Sequence, residues 1–283
     1  MRRVTDSCPF STTDRGFTLV EMIISIVIAG VLVSMVAMFG RGQINAYIDV
    51  GNRAELSDAA DTALRRVARD LQSALPNSVR QSGNFLEFVP IHDAGRYRAD
   101  VDNAGAGNIL DFGSNADGSF DVLGPAVTIN AGDQLVIFNL GLPGSDVYAG
   151  TSRRAIATAS GIVSSLQFTL GAAPNQQFPL PSPQSRFQIV GTPVTYECAA
   201  NAANPLVGTV IRHSGYAFHG AVASAPWGYG GVSAVLVTDV ADCHFTYTPA
   251  VLQRNGLVVL SLTLTRNGET VQLLHQVEIQ NTP

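Results

Sequence analysis

The chain has 283 residues, enough for one large or two modest domains with a sizeable core. Its net charge of −5 and the lack of a basic stripe exclude a nucleic-acid footprint. All 17 basic residues are arginine, and without lysine there is no Walker-type phosphate loop, Schiff-base amine or Ser–Lys dyad.

The opening stretch, MRRVTDSCPFSTTDR, is polar and carries Arg2, Arg3 and Arg15 against Asp6 and Asp14. Residues 17–40 follow with a single charge, Glu21. As a helix this run spans about 36 Å, enough for the ~30 Å hydrocarbon core of a bilayer. The positive-inside rule puts the leading stretch in the cytoplasm and everything past Gly40 on the far side. A secretory signal peptide would have a shorter apolar core and then a small-residue cleavage site; neither is present. A plain signal anchor fits the length but leaves Glu21 unexplained, since a carboxylate in hydrocarbon costs roughly 2.5–3.5 kcal/mol.

Residues 41–76 keep the helical period in a different chemistry. Leu56, Ala60, Ala63, Leu64, Val67, Leu71 and Leu75 recur at spacings of three and four and mark one apolar face. Glu55, Asp58, Asp61, Arg65, Arg66, Arg69 and Asp70 form the opposite, solvated face. Asp61 and Arg65 make an i,i+4 pair in the favourable orientation. Pro76 is the predicted stop, so one helix is expected over 17–75, roughly 88 Å long at 1.5 Å per residue. Gly40, Gly42 and Gly51 are its weak points, each costing about 1 kcal/mol relative to alanine.

From about residue 80 the pattern turns to strands: 85–89, 134–140, 162–170, 186–198, 208–214 and 233–240. Loops are predicted over 99–133, 171–185 and 220–231, the last around Trp227. Between 257 and 279 two β-rich runs flank Asn267-Gly268, the signature of a hairpin with a two-residue type I′ turn. There are three cysteines, Cys8, Cys198 and Cys243. If residues 1–16 are removed an even pair remains, as an oxidising compartment would favour. A Cys198–Cys243 bridge would close a loop of about 46 residues and stabilise by roughly 4 kcal/mol on the chain-entropy model; the alternative is a reactive or metal-binding pair.

The junction RGFTLVE (15–21) resembles the cleavage and methylation motif of type IV prepilins and type II secretion pseudopilins. In that family a membrane peptidase cuts after the glycine and N-methylates the new first residue. The resemblance implies that residues 1–16 are a leader ending at Gly16, that Phe17 is the mature methylated N-terminus, and that Glu21 pairs with the free amine of a neighbouring subunit's first residue, setting axial register. Otherwise Glu21 snorkels to the membrane interface. The implied fold is α+β and pilin-like: a long N-terminal helix, transmembrane over 17–40 and amphipathic over 41–76, packed on an antiparallel β-rich periplasmic domain, 77–283. The implied partners are prepilin peptidase, major and minor pilins, and the inner-membrane assembly platform. Major pilins often carry a proline near the position of Met38, which this chain lacks.

Over most of its length the chain also resembles a narrower group, the MshO family of minor pilins of the mannose-sensitive haemagglutinin (MSHA) type IV pilus. YIDVGNRAELSDAADTALRRVARDLQSALPNSVR (47–80), GDQLVIFNLG (132–141), RHSGYAF (212–218), DCHFTY (242–247) and LLHQVEIQNTP (273–283) carry it. The implied role is filament initiation, at the tip, without catalysis. J-type pseudopilins and PilW minor pilins share the layout; a signal-anchored periplasmic binding protein or adhesin is the other alternative. An enzyme is disfavoured, because no G-x-S-x-G elbow exists and His213 and Ser214, adjacent on a strand, face opposite ways. The loop DVDNAGAGNILD aligns Asp100, Asp102, Gly105 and Asp111 with positions one, three, six and twelve of a calcium loop, but Ala104 occupies the fifth. Calcium is thus a weak expectation beside a solvated loop.

Overall fold

In the computed structural model the described residues are 16–171, 177–222, 230–249 and 255–280, with residues 40 and 41 described in backbone only. Residues 1–15, including Cys8, and the loop residue Trp227 lie outside the described residues. The chain divides into two compact units, residues 1–51 and 52–283.

Helix α1 (Leu19–Gln72) has 54 residues. In the first unit every side chain described from Leu19 to Phe39 is exposed, and this stretch makes α1 long and apolar enough to cross a membrane. Its two hydroxyls are hidden by local bonding: Ser25 Oγ donates to the Glu21 carbonyl at 2.7 Å and Ser34 Oγ to the Gly30 carbonyl at 2.6 Å. Bonding back one turn satisfies each hydroxyl without water or a partner chain.

In the second unit the three-and-four spacing does what it predicts. Leu56, Ala60, Ala63, Leu64, Val67 and Leu71 are all buried. The helix stops at Gln72, short of the expected end before Pro76. The Leu75 N–H donates to the Val89 carbonyl and the Ile91 N–H to the Ser73 carbonyl, so residues 73–75 have already turned to strand-like pairing.

The strands follow in chain order: β1 (Arg80–Ser82), β2 (Phe85–Phe88), β3 (Ile91–Tyr97), β4 (Ser119–Leu123) and β5 (Val127–Ile129). Next come β6 (Gln134–Val136), β7 (Arg153–Ala155), β8 (Gly161–Val163), β9 (Ser165–Gln167), β10 (Arg186–Val190) and β11 (Val194–Ala199). The last are β12 (Thr209–Ser214), β13 (Val232–Thr238), β14 (Val240–Thr248), β15 (Gly256–Arg266) and β16 (Glu269–Ile279). They form a five-stranded sheet in the order β1-β2-β11-β12-β13, a six-stranded sheet β7-β6-β10-β3-β4-β9, a three-stranded sheet β14-β15-β16 and the pair β5-β8. The strands pair antiparallel, β11 with β12 and β15 with β16 among them, and the architecture is α+β and pilin-like.

One core joins residues 56–71 of α1 to the inner faces of the five- and three-stranded sheets, through Leu86, Phe88, Tyr196, Val210, Val258 and Leu260 among others. A disulfide between Cys198 on β11 and Cys243 on β14, with Cα atoms 5.9 Å apart, ties those two sheets together inside that core. A second core fills the six-stranded sheet with aromatic rings: Phe120 lies 5.2 Å from Phe187 and Phe168 lies 5.1 Å from Phe178 between centroids.

Several expectations need correction. The stretch 99–133 is not one loop, since it contains β4 and β5. The run 162–170 breaks into β8 and β9, which pair in different sheets, and 186–198 breaks at 191–193 into β10 and β11. The run 233–240 breaks at Asp239, whose φ of 62° turns the chain between β13 and β14. Asp70 does not lie on a solvated face: it accepts hydrogen bonds from the Tyr196 hydroxyl at 2.8 Å and Arg212 Nε at 2.9 Å. The β15–β16 hairpin forms as expected, with Arg266 opposite Glu269 and both turn residues at positive φ, Asn267 at 52° and Gly268 at 84°.

Candidate functional site

The residues singled out at the N-terminus lie at the start of α1. Gly16 is exposed, and a Cβ built on it would meet nothing within 4 Å. Packing within this chain therefore does not require glycine there. Phe17 is 82% exposed, so its ring is free to be handled by another molecule.

Thr18 and Glu21 answer to each other. The Thr18 N–H and Oγ1 both donate to Glu21 Oε2, at 3.1 and 3.0 Å, and the Glu21 N–H donates to Thr18 Oγ1 at 3.3 Å. The first helical bond, from the Met22 N–H to the Thr18 carbonyl, follows at 3.1 Å. This is a capping box: two backbone donors that no helical carbonyl can reach are satisfied reciprocally, and a carboxylate sits at the positive end of the helix dipole. Sequence reasoning sought a partner for Glu21 and missed Thr18. The signal was present as T-L-V-E ahead of an apolar run, the spacing of a capping box. Among the described residues Glu21 Oε1 takes no hydrogen bond. One oxygen is thus committed to the helix start, and the other is open to a cation.

The calcium candidates are arranged differently from a ligand set. Asp102 Oδ1 accepts the N–H groups of Ala104 and Ala106, at 2.9 and 2.8 Å. Those amides, with a smaller contribution from Arg98, hold its carboxyl below the usual range. Asp111 Oδ1 accepts the Gly113 N–H at 2.8 Å. Among the described residues no group of three or more His, Cys, Asp or Glu side chains is gathered to hold a metal, so Asp100, Asp102 and Asp111 are not brought together. The Asp102 and Asp111 carboxylates cap loop turns instead.

The face of the five-stranded sheet opposite α1 carries a polar row that the sequence did not disclose. Glu87, fully buried, takes Arg80 Nε on Oε2 at 2.7 Å and the Tyr216 hydroxyl on Oε1 at 2.9 Å. The Arg80 guanidinium lies 3.4 Å over the Tyr148 ring and donates to the carbonyls of His219, Gly220 and Ala221. Burial first, then the Glu87 carboxylate, pushes the Tyr216 and Tyr148 hydroxyls well up from their ordinary value. Beside this group His213, directly opposite Ser233 in register, bonds Ser233 Oγ through Nδ1 at 2.7 Å and Glu197 Oε2 through Nε2 at 2.8 Å. His213 therefore meets a serine, but across the strand pair and not its neighbour Ser214. Alternation along β11, β12 and β2 places Glu87, Thr195, Glu197 and His213 on one face; which cross-strand residues meet is set by register, which no local pattern gives.

Residues 12–37 match the family model described as the prokaryotic N-terminal methylation motif. No curated protein and no solved structure matches the chain. The match covers the Gly16–Phe17 junction, the capping box and most of the exposed apolar stretch; it marks the chain as prepilin-like at its N-terminus and fits a single-pass membrane anchor.

Proposed function

We propose that the chain is a minor pilin that helps to initiate an MSHA-like type IV pilus, of the MshO kind, acting as a structural subunit and not as an enzyme. The observation that carries this reading is the methylation motif, whose glycine–phenylalanine junction is exposed one residue ahead of a capped apolar helix. Prepilin peptidase would cut after Gly16 and methylate the amine of Phe17. The cut leaves a new cation at the membrane surface, and Glu21 Oε1 is the acceptor for the corresponding cation of a neighbouring subunit. A buried charge of this kind is tolerated when an opposite charge is supplied. The remaining partners would be other pilins, through their N-terminal helices, and the inner-membrane platform. The disulfide fits folding of residues 52–283 in an oxidising periplasm.

A J-type pseudopilin of type II secretion would share this N-terminus. Intact-mass measurement and N-terminal sequencing, with and without prepilin peptidase, test the common class. The expected result is loss of residues 1–16 and a methylated Phe17, abolished by Gly16→Ala. Because a Cβ at Gly16 has open space, that variant folds normally, and failure to process reports on the peptidase alone. An uncut chain overturns the reading. Complementation of MSHA-pilus assembly against complementation of secretion then separates the two systems.

A further inference from the structure

Two arginines of the six-stranded sheet stand directly opposite each other. Arg186 on β10 pairs in register with Arg96 on β3, so both side chains leave the same face. Like charges set opposite across a strand pair are destabilising, and no acid offsets them. Arg98, two residues further on, has Asp121 at 3.5 Å; Arg96 and Arg186 have no ion pair among the described residues. What the pair has instead is a mount. Arg96 Nε donates to the Gln184 carbonyl at 2.9 Å, and Arg186 Nε to the Pro183 carbonyl at 3.5 Å. Both carbonyls belong to one short turn, Pro183–Ser185, which takes two consecutive non-glycine residues through positive φ, Gln184 at 60° and Ser185 at 55°. The turn is pinned at its entry by the buried Tyr97, next to Arg96, whose hydroxyl accepts the Ser182 N–H at 3.1 Å. Backbone of this kind is costly and persists where its surroundings enforce it. Here it holds two guanidinium groups by their inner nitrogens, while their terminal nitrogens take no hydrogen bond among the described residues.

Arginine forks presented side by side match the oxygens of a phosphate or sulfate group. A second feature of the same face narrows the ligand. Gln188 is two residues along β10 from Arg186, roughly 6.7 Å away, and pairs in register with the exposed Ala94. It is 8% exposed, and its Oε1 has no hydrogen-bond partner among the described residues. A buried acceptor left without a donor is costly, and a hydroxyl brought by a ligand would satisfy it. An oxyanion for the arginines and a hydroxyl about one sugar ring away occur together in a sugar ester. We propose that Arg96, Arg186 and Gln188 form a binding site for a sugar carrying a phosphate or sulfate ester, presented by an anionic polysaccharide. The arginines take the ester oxygens and Gln188 Oε1 accepts from a ring hydroxyl. The chain as a whole carries −5 and repels polyanions, so the recognition is local to this face. The site lies within residues 52–283 and does not depend on how the N-terminus is processed.

The test is surface-plasmon binding of the full chain in detergent to immobilised dextran sulfate, dextran phosphate and unmodified dextran. Binding to at least one ester and not to plain dextran is expected. Arg96→Gln and Arg186→Gln should each weaken it at least about tenfold, against less than about twofold for Arg66→Gln, an exposed arginine of α1. Neither sheet variant should unfold earlier than the parent in a denaturant titration, because each relieves a like-charge pair. Soluble glucose 6-phosphate should compete at a concentration several-fold below that of inorganic phosphate. In Gln188→Met, which keeps the side chain's length and removes the acceptor, the two competitors should become equal. Absence of binding to both esters, or an equal loss with Arg66→Gln, overturns the site. Inorganic phosphate competing as well as glucose 6-phosphate with the parent chain overturns the sugar and leaves a free-anion site. Tighter binding to immobilised polyglutamate than to either dextran ester overturns it in favour of an acidic protein segment.

Discussion

Residues 19–39 and 52–72 are written in one conformation and solve opposite problems. Both belong to α1. In the first stretch every described side chain is exposed, including Ile23, Ile26, Val33 and Phe39; in the second, Leu56, Ala60, Val67 and Leu71 are within 2% of complete burial. The difference is periodicity. Apolar residues on every side of a helix leave no single face to bury, so one sheet cannot cover them, and lipid or other helices can. Apolar residues at three-and-four spacing leave half the helix for charges and dock on their own domain. Hydrophobicity alone says that a segment wants cover; its period says whether the cover comes from within the chain.

That contrast can be broken by substitution. The largest effect belongs to the polar row, since removing one partner of a buried ion pair strands the other. Glu87→Ala should destabilise residues 52–283 by about 3–5 kcal/mol in a denaturant titration of the full chain in detergent, whereas Glu21→Ala should leave that transition in place. Leu71→Ala, in the buried stripe, should cost about 2–5 kcal/mol in the same titration, against less than about 0.5 kcal/mol for the exposed Leu32→Ala. An equal response to the two leucine changes would mean that both stretches are buried by the same domain.

Alkaline pH gives a finer test. Tyr148, Tyr196 and Tyr216 all have hydroxyl pKa values raised above 10, chiefly by burial and then by the Glu87 or Asp70 carboxylates. Folding therefore favours their protonated forms. Their contribution is intact below the unfolded value near 10 and is lost as pH rises above it, at about 1.4 kcal/mol per pH unit for each tyrosine. Tyr216→Phe should flatten the fall of stability between pH 10 and 11 by about 1 kcal/mol, since the full slope is reached only above that interval. A slope unchanged by Y216F would remove Tyr216 from the linkage. The most local change is Thr18→Ala, which deletes half the capping box and should weaken the helix start by about 1 kcal/mol, seen as faster amide exchange over residues 19–22 with no shift in the domain's unfolding.

The same contrast explains what could be read in advance. The buried stripe of α1, the apolar run and the Asn267-Gly268 hairpin are local patterns, legible because each is stated within a few residues. Strand β3 is not: IHDAGRY alternates weakly and contains Gly95, which suggests a break. Its glycine serves a distant residue, since a Cβ there would come within 2.8 Å of the Phe187 ring. Asp70 reads as a surface charge because its partners, Tyr196 and Arg212, are 126 and 142 residues away. At the N-terminus, the Gly16–Phe17 junction is legible as a resemblance. The Thr18 bond escapes that resemblance, which points Glu21 toward another molecule while a partner lies three residues upstream.

Glu21 has one oxygen engaged by its own chain and, among the described residues, one without a bond, and that fixes a valence. On the proposed reading each processed subunit is monofunctional in both directions: it accepts one cation and donates one. Chains built on such a rule grow in single file and do not branch. A copy that kept its leader would accept but have nothing to donate, so it could close a growing end but never extend it. Among equal copies, the ratio of cut to uncut chains would then set the mean length of the polymer, as a monofunctional stopper does in any step-growth reaction.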